Sequence, residues 1–180
     1  MADDLISLSF IIEPQRPTDL PLVEDLLDRA FGPDRHGRTA YRLRDGVEPV
    51  AELSLVARDD SRFLGTLRFW PIEVAPFDGG EPVPALLLGP LAVEPALKGK
   101  GIGITLMREG LARAREAGHK AVILVGDYDY YRRVGFVRME PGQFTMPGPV
   151  DEARLLYLEL SPGSLAAVRG AIVKPGASRR

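Results

Sequence analysis

The sequence contains no cysteine. Disulfides, thiolate metal sites and a cysteine nucleophile that could carry an acyl group are therefore excluded. Histidine is nearly missing too. His36 and His119 stand far apart, so a histidine-rich metal site is not expected. No apolar run reaches the length of a membrane-spanning helix. The opening residues, MADDLISLSF, are acidic and lack the basic segment of a secretory signal. Neither sign of charge dominates: 23 basic residues face 25 acidic ones, for a formal net charge of −2. Such totals favour neither nucleic acid nor a membrane surface as partner. These absences lead to the expectation of a cytoplasmic protein. At 180 residues, 45% hydrophobic, the chain suits one domain over 1–180 with a sizeable core. The tail from about residue 174, KPGASRR, is expected to fray.

Apolar spacing outlines the elements. SLSFIIEP, Ser7 to Pro14, reads as a strand. Thr18 is placed to cap a helix whose stripe is Val23, Leu26, Leu27, Ala30 and Phe31, stopped by Gly32-Pro33. Asp34 to Gly46 is polar and basic, a loop with a short helix bordering a cleft. Ala51 to Asp60 and Arg62 to Val74 read as an antiparallel hairpin. On it, Trp70 is assigned to the core and Phe69 to a cleft wall. LLLGPLAV, Leu86 to Val93, is a buried strand with a fault at Gly89-Pro90, because proline has no N–H for the ladder. A helix from Gly101 to Ala117 follows, then an all-apolar strand, Ala121 to Gly126. Asp127 caps a short helix, and Ala153 to Leu160 is taken as the last strand. This order predicts a mixed α/β sheet with helices on both faces.

One stretch is unusual. LKGKGIGITL, Leu97 to Leu106, places Gly99, Gly101 and Gly103 where a helix is about to begin, with Lys98 and Lys100 before the first two. Glycine lets backbone approach a ligand, and a helix start presents unpaired N–H groups at its positive end. Together these describe an anion site. No Gly-x-x-x-x-Gly-Lys-Ser/Thr string exists, so a Walker A loop is excluded. A dinucleotide fingerprint is met at Gly99 and Gly101, but Ile104 stands at the third glycine and EPALK separates strand from loop. A nucleotide-binding oxidoreductase therefore ranks a distant third among the functional readings.

The same stretch resembles the GNAT superfamily of N-acetyltransferases. Their pyrophosphate loop is Gln/Arg-x-x-Gly-x-Gly/Ala, between a bulged strand and a helix. Lys98-Gly99-Lys100-Gly101-Ile102-Gly103 follows it, with lysine at the first place. LGPLAVEPALKGKGIGITLM is similar to the family throughout. In YYRRVGF, Tyr131 precedes the Gly135-Phe136 pair by the interval the family often shows. VILVGDYDYYRRVGF is especially similar to a bacterial, YhbS-like subgroup.

The resemblance implies a mostly antiparallel central sheet with a splayed parallel strand pair. It implies acetyl-CoA as cosubstrate, no metal, and direct transfer to a primary amine of a small molecule or peptide. The loop from Lys98 to Ile104 (Lys98, Gly99, Lys100, Gly101, Ile102, Gly103, Ile104) would wrap the pyrophosphate with backbone N–H groups. Glycine at 101 and 103 would remove Cβ atoms that hold phosphates away. Leu91, Ala92 and Val93 would pair with the pantetheine arm as in strand addition, while their side chains pack in the core. An N–H near Leu91 would polarise the thioester carbonyl. Tyr131 is the candidate acid for the leaving thiolate, against a plainer reading as a packed aromatic. Glu73 could activate a water as base, against a plainer reading as a solvated strand-end carboxylate. A non-catalytic acyl-CoA-binding module or sensor is the second functional reading. Acceptor choice would fall to Asp34–Gly46 and Pro76–Pro84. Strand edges and the last strand could support a homodimer.

Overall fold

Period-two alternation along the apolar segments builds one mixed sheet in the computed structural model, which describes residues 8–60 and 62–179. Its strands are β1 (Ile11–Pro14), β2 (Leu55–Asp59), β3 (Arg62–Pro76), β4 (Val83–Val93), β5 (Ala121–Val125), β6 (Val137–Arg138), β7 (Phe144–Thr145), β8 (Leu155–Glu159) and β9 (Gly170–Val173). The helices are α1 (Leu20–Phe31), α2 (Thr39–Arg44), α3 (Ile102–Glu116) and α4 (Tyr128–Tyr131). The strand order is β1-β2-β3-β4-β5-β8-β6. Along it every pairing is antiparallel except β4 with β5. The expected mixed sheet with a parallel pair is therefore present.

Alternation also assigns the faces. Leu55, Ala57, Leu67, Leu86, Leu88, Val122 and Leu124 are buried beneath α3, whose Ile102, Leu106, Met107, Leu111 and Ala114 fill that face. Val56 and Ala92 point the other way and meet Val23, Leu26 and Leu27 of α1. Leu87, Ile123, Ile72 and Val74 share the α1 side with Leu43 of α2, Phe144 and Ile172. Helices thus cover both faces, as the alternating pattern implies.

Four local expectations change. Thr18 does not cap α1; a 3-10 turn at Pro17–Asp19 precedes it, and Asp19 accepts the Arg16 N–H at 2.7 Å. Residues Ala51–Leu53 form a 3-10 turn, so the strand starts at Leu55. The first strand begins at Ile11, and Ser7 lies outside the described residues. β8 is not the last strand. β9 follows it and pairs antiparallel with the distal half of β3, from Glu73↔Val173 to Pro76↔Gly170. The segment after β9 carries a 3-10 turn at Ala177–Arg179.

Candidate active site

The fault in β4 creates the site. Leu67 pairs with Leu91 and Phe69 with Leu88, so β4 fits one residue more than β3 between these pairs. Gly89-Pro90 occupies that bulge. Gly89 has φ +126°, a conformation side chains disfavour, and its carbonyl accepts the Trp70 Nε1–H at 2.7 Å. Pairing between β4 and β5 is confined to Leu86↔Val122 and Leu87↔Ile123. Both strands run on beyond it without meeting. The space between them is a cleft of about 900 Å³, lined by Leu87 to Leu91 on one side and Val125 to Asp127 on the other.

The glycine loop stands at the cleft's mouth, where Lys98 joins the lining. Gly99 and Gly101 have φ +80° and +83°, and Gly101 is the N-cap of α3. No side chain caps this helix, so the N–H groups of Ile102, Gly103 and Ile104 keep the unpaired state of a first turn. Lys98, Gly99, Lys100 and Gly101 are exposed. The side chains of Ile102 and Ile104 are core, so only their backbone can serve a ligand. Gly103 has a different reason from the one expected. A Cβ there would collide with the Tyr130 hydroxyl, so the residue makes room for α4. Of the strand residues, Leu91 lines the cleft, Ala92 is buried against α1, and half-buried Val93 pairs with Gly65.

Tyr131 faces the cleft from α4, which begins at Asp127, whose carboxylate accepts the Asp129 N–H at 3.2 Å. Its ring packs edge-on to Tyr130 (5.1 Å) and Phe136 (6.0 Å), over Gly126, where a Cβ would strike it. Burial, with Tyr130 beside it, pushes the phenol up to about 12, although Arg154 pulls the other way. Tyr131 is therefore a neutral donor at ordinary pH. Tyr130, also in the lining, is raised by burial as well.

The structure does not bring Glu73 to this place. It sits in the distal half of β3, between Pro84 and Val173, and accepts the Gly176 N–H at 3.1 Å. Its carboxylate holds the segment after β9, which is why it is not free for a base's work. Trp70 and Phe69 also exchange roles. Phe69 is fully buried over Gly110, while half-buried Trp70 looks into a side cavity beneath the bulge.

The wall opposite the glycine loop was only partly foreseen. Asp34–Gly46 does border the cleft, through Arg38, Thr39, Tyr41, Arg42 and Arg44. It is joined there by Pro149 to Asp151 and Arg154. Two hydrogen bonds tie the segments together: Thr39 Oγ1 donates to the Pro149 carbonyl, and Arg42 Nη1 donates to that of Pro147 at 2.8 Å. These partners lie far apart in the chain and carry no pattern that links them.

Comparison with known proteins adds three findings. Residues 12–139 match the family described as Acetyltransferase (GNAT) domain. The chain is 30% identical over 163 residues to the uncharacterized N-acetyltransferase YhbS of Escherichia coli K12, covering 90% of this chain and 94% of that one. The crystal structure of E. coli YhbS in complex with CoA superposes with a TM-score of 0.78 at 28% identity, over 100% of this chain and 96% of the other. A GNAT family acetyltransferase from Brucella melitensis, in complex with acetyl-CoA, gives a TM-score of 0.66 at 30% identity, over 96% and 99%.

Proposed function

The chain belongs to the GNAT family of N-acetyltransferases, and from that premise we propose that it transfers the acetyl group of acetyl-CoA directly to a primary amine of a small molecule or peptide. The observation that carries this reading is the cleft where β4 and β5 part, with an uncapped helix start at its mouth and the Tyr131 phenol in its wall. The relatives from E. coli and B. melitensis were solved with CoA and acetyl-CoA, which supports the same cosubstrate here.

The residues fit that cosubstrate. The N–H groups of Ile102, Gly103 and Ile104, at the positive end of a 15-residue helix, suit a pyrophosphate. Left-handed Gly99 and Gly101 have no neighbour within 4 Å of a Cβ position, which leaves the loop open to a bulky anion. Lys98 and Lys100 add positive charge from solvent. Acetyl-CoA supplies a thioester and, on transfer, a thiolate leaving group. Leu91, just past the bulge, offers backbone to the arm that bears the thioester. Tyr131, protonated at ordinary pH, donates its hydroxyl hydrogen toward the departing sulfur. The cleft's carboxylates are occupied: Asp127 caps α4, and Asp151 accepts the Ala153 N–H at 3.0 Å. The acceptor therefore reacts from its neutral amine form, and the proton its nitrogen loses as the amide forms restores the one Tyr131 gave to the sulfur.

Thermal melting with excess acetyl-CoA, and with NAD as control, tests the reading. At about a hundred times its dissociation constant, a specific ligand stabilises by roughly 2.7 kcal/mol. We expect a rise with acetyl-CoA alone, followed by amine-dependent release of free CoA thiol. A rise without release from any amine would favour the binding module, and no rise would refute the proposal.

A further inference from the structure

Three arginines gather behind the β4 fault, and two of them have counter-charges. Arg35, 3% exposed, donates to Asp28 and to the Tyr41 hydroxyl, each at 2.8 Å, and to Glu24. Arg68 meets Glu24 and the Gln15 side chain at 3.2 Å. Arg44 pairs with no carboxylate among the described residues, and its Nε is sealed from solvent without an acceptor. Asp45, next in the chain, is exposed and turns to Lys174, 3.9 Å away. The rings of Tyr41 and Trp70 lie 4.6 and 5.7 Å from the Arg44 guanidinium carbon. Its Nη2 stands 3.1 Å from where a Gly89 Cβ would be, so the guanidinium abuts the bulge.

A cation held like this is unfavourable without a counter-ion. Contact with aromatic faces offsets only part of the lost hydration. Burial lowers its ionisation to about 10; Tyr41 opposes the shift, and Arg68 and Arg35 add to it, so the group is still charged near neutrality. The cleft wall has the same bias. Arg38, Arg42 and Arg154 line it, while Asp127 and Asp151 are engaged as caps. A simple ammonium entering this space meets repulsion. An amine that brings its own negative group neutralises the cation already waiting there. The planar fork of arginine matches carboxylate and phosphate oxygens in pairs.

Resting on the transfer reading above, we infer that the acceptor is an amine that also carries an anionic group, a carboxylate or a phosphate, received by Arg44 beside the Gly89-Pro90 bulge. The anion anchors the acceptor two residues along β4 from Leu91, which directs the amine toward the thioester.

The test uses the full chain and matched amines: β-alanine against β-alaninamide, and O-phosphoethanolamine against ethanolamine. With acetyl-CoA, kcat/KM is expected to be at least about tenfold higher for the anion-bearing member of one pair, the worth of a charge-assisted hydrogen bond. The pair that responds distinguishes carboxylate from phosphate. Arg44→Gln should bring both members to parity. A second readout does not need turnover: Trp70 is the sole tryptophan and adjoins Arg44. In CoA-loaded protein its fluorescence should shift saturably with β-alanine or O-phosphoethanolamine, not with the matching β-alaninamide or ethanolamine, and not in Arg44→Gln. The variant should melt no lower than wild type, because it sheds a half-buried charge with no carboxylate partner among the described residues. Equal turnover and equal fluorescence response within both pairs overturns the inference. So does a lower melting point with discrimination intact, or an anionic probe that leaves Trp70 unchanged. Absence of acetylated product from every amine strikes instead at the transfer reading, and the fluorescence arm still decides this one.

Discussion

Tyr131 combines a ring packed against Phe136 with a place in the cleft wall. Its folded-state ionisation, about 12, lies above the roughly 10 of an unfolded tyrosine. Below about pH 10 both states hold the proton, so stability is unaffected. As pH rises through the interval the unfolded chain releases a proton that the folded one keeps, and stability falls. Two units correspond to at most about 2.7 kcal/mol. Melting temperature should therefore drop between about pH 10 and 12, and less steeply in Tyr131→Phe. In the same variant kcat should fall by about a hundredfold or more, with acetyl-CoA affinity nearly unchanged. In wild type the rate should climb with pH as the acceptor amine loses its proton, with no downturn from the phenol until far into alkali. A kcat equal to wild type in Tyr131→Phe would remove the residue from the mechanism. Glu73 shows where residue-level reading stops. A carboxylate near a strand end is visible in the chain, but the end of the strand that meets the cleft is not. The distal half of β3 belongs to β9, and the cleft opens at the other half. The exchange between Phe69 and Trp70 has a similar cause. The bulge lies on β4, and Trp70 is drawn to the carbonyl it exposes.

Among the elements, α3 and α4 act together. The Tyr130 hydroxyl rests where a side chain at Gly103 would begin, so the helix proposed to receive the anion and the helix that bears Tyr131 share one contact. Gly103→Ala should displace α4. We expect a loss of about 1–3 kcal/mol in stability, the usual cost of overpacking, with weaker acetyl-CoA binding and lower kcat together. Calorimetric titration and steady-state rates would check this, and loss of affinity at unchanged kcat would show that the two helices are independent. These parts were legible because each depends on scarce residues in fixed order: Gly-Pro inside an apolar run, three alternating glycines, Tyr before Gly-Phe. The apolar run Ala121 to Val125 was equally plain, being buried on both faces. β9 was not legible. Its four residues, GAIV, follow the mixed stretch SPGSLAAVR, and their partner is a distant strand. Nor did the basic run Arg38 to Arg44 reveal that one arginine would lack a counter-charge, since that follows from Glu24 and Asp28 being taken by Arg35 and Arg68.

In the whole molecule, two residue pairs join β4 to β5, and through them the strands β1 to β4 meet β5, β8 and β6. A cosubstrate seated in the cleft would bridge these halves. Hydrogen exchange measured with and without acetyl-CoA should slow most in residues 88–93, 101–104 and 125–127, the two lips of the cleft and its mouth. Slowing spread evenly over the sheet would instead indicate general tightening with no bridge. The sheet has a further asymmetry in β3. One edge of this 15-residue strand is shared: residues 62–67 pair with β2, and residues 73–76 pair with β9. During synthesis the first half of that edge can be satisfied as soon as the hairpin emerges. The second half waits for Gly170–Val173, far along the chain from the hairpin. Until the ribosome has made those residues, Glu73–Pro76 is an unclosed strand edge, and Ile172 is missing from the core it shares with Ile72 and Val74. The latest of the described strands to be translated is thus the one that closes this edge.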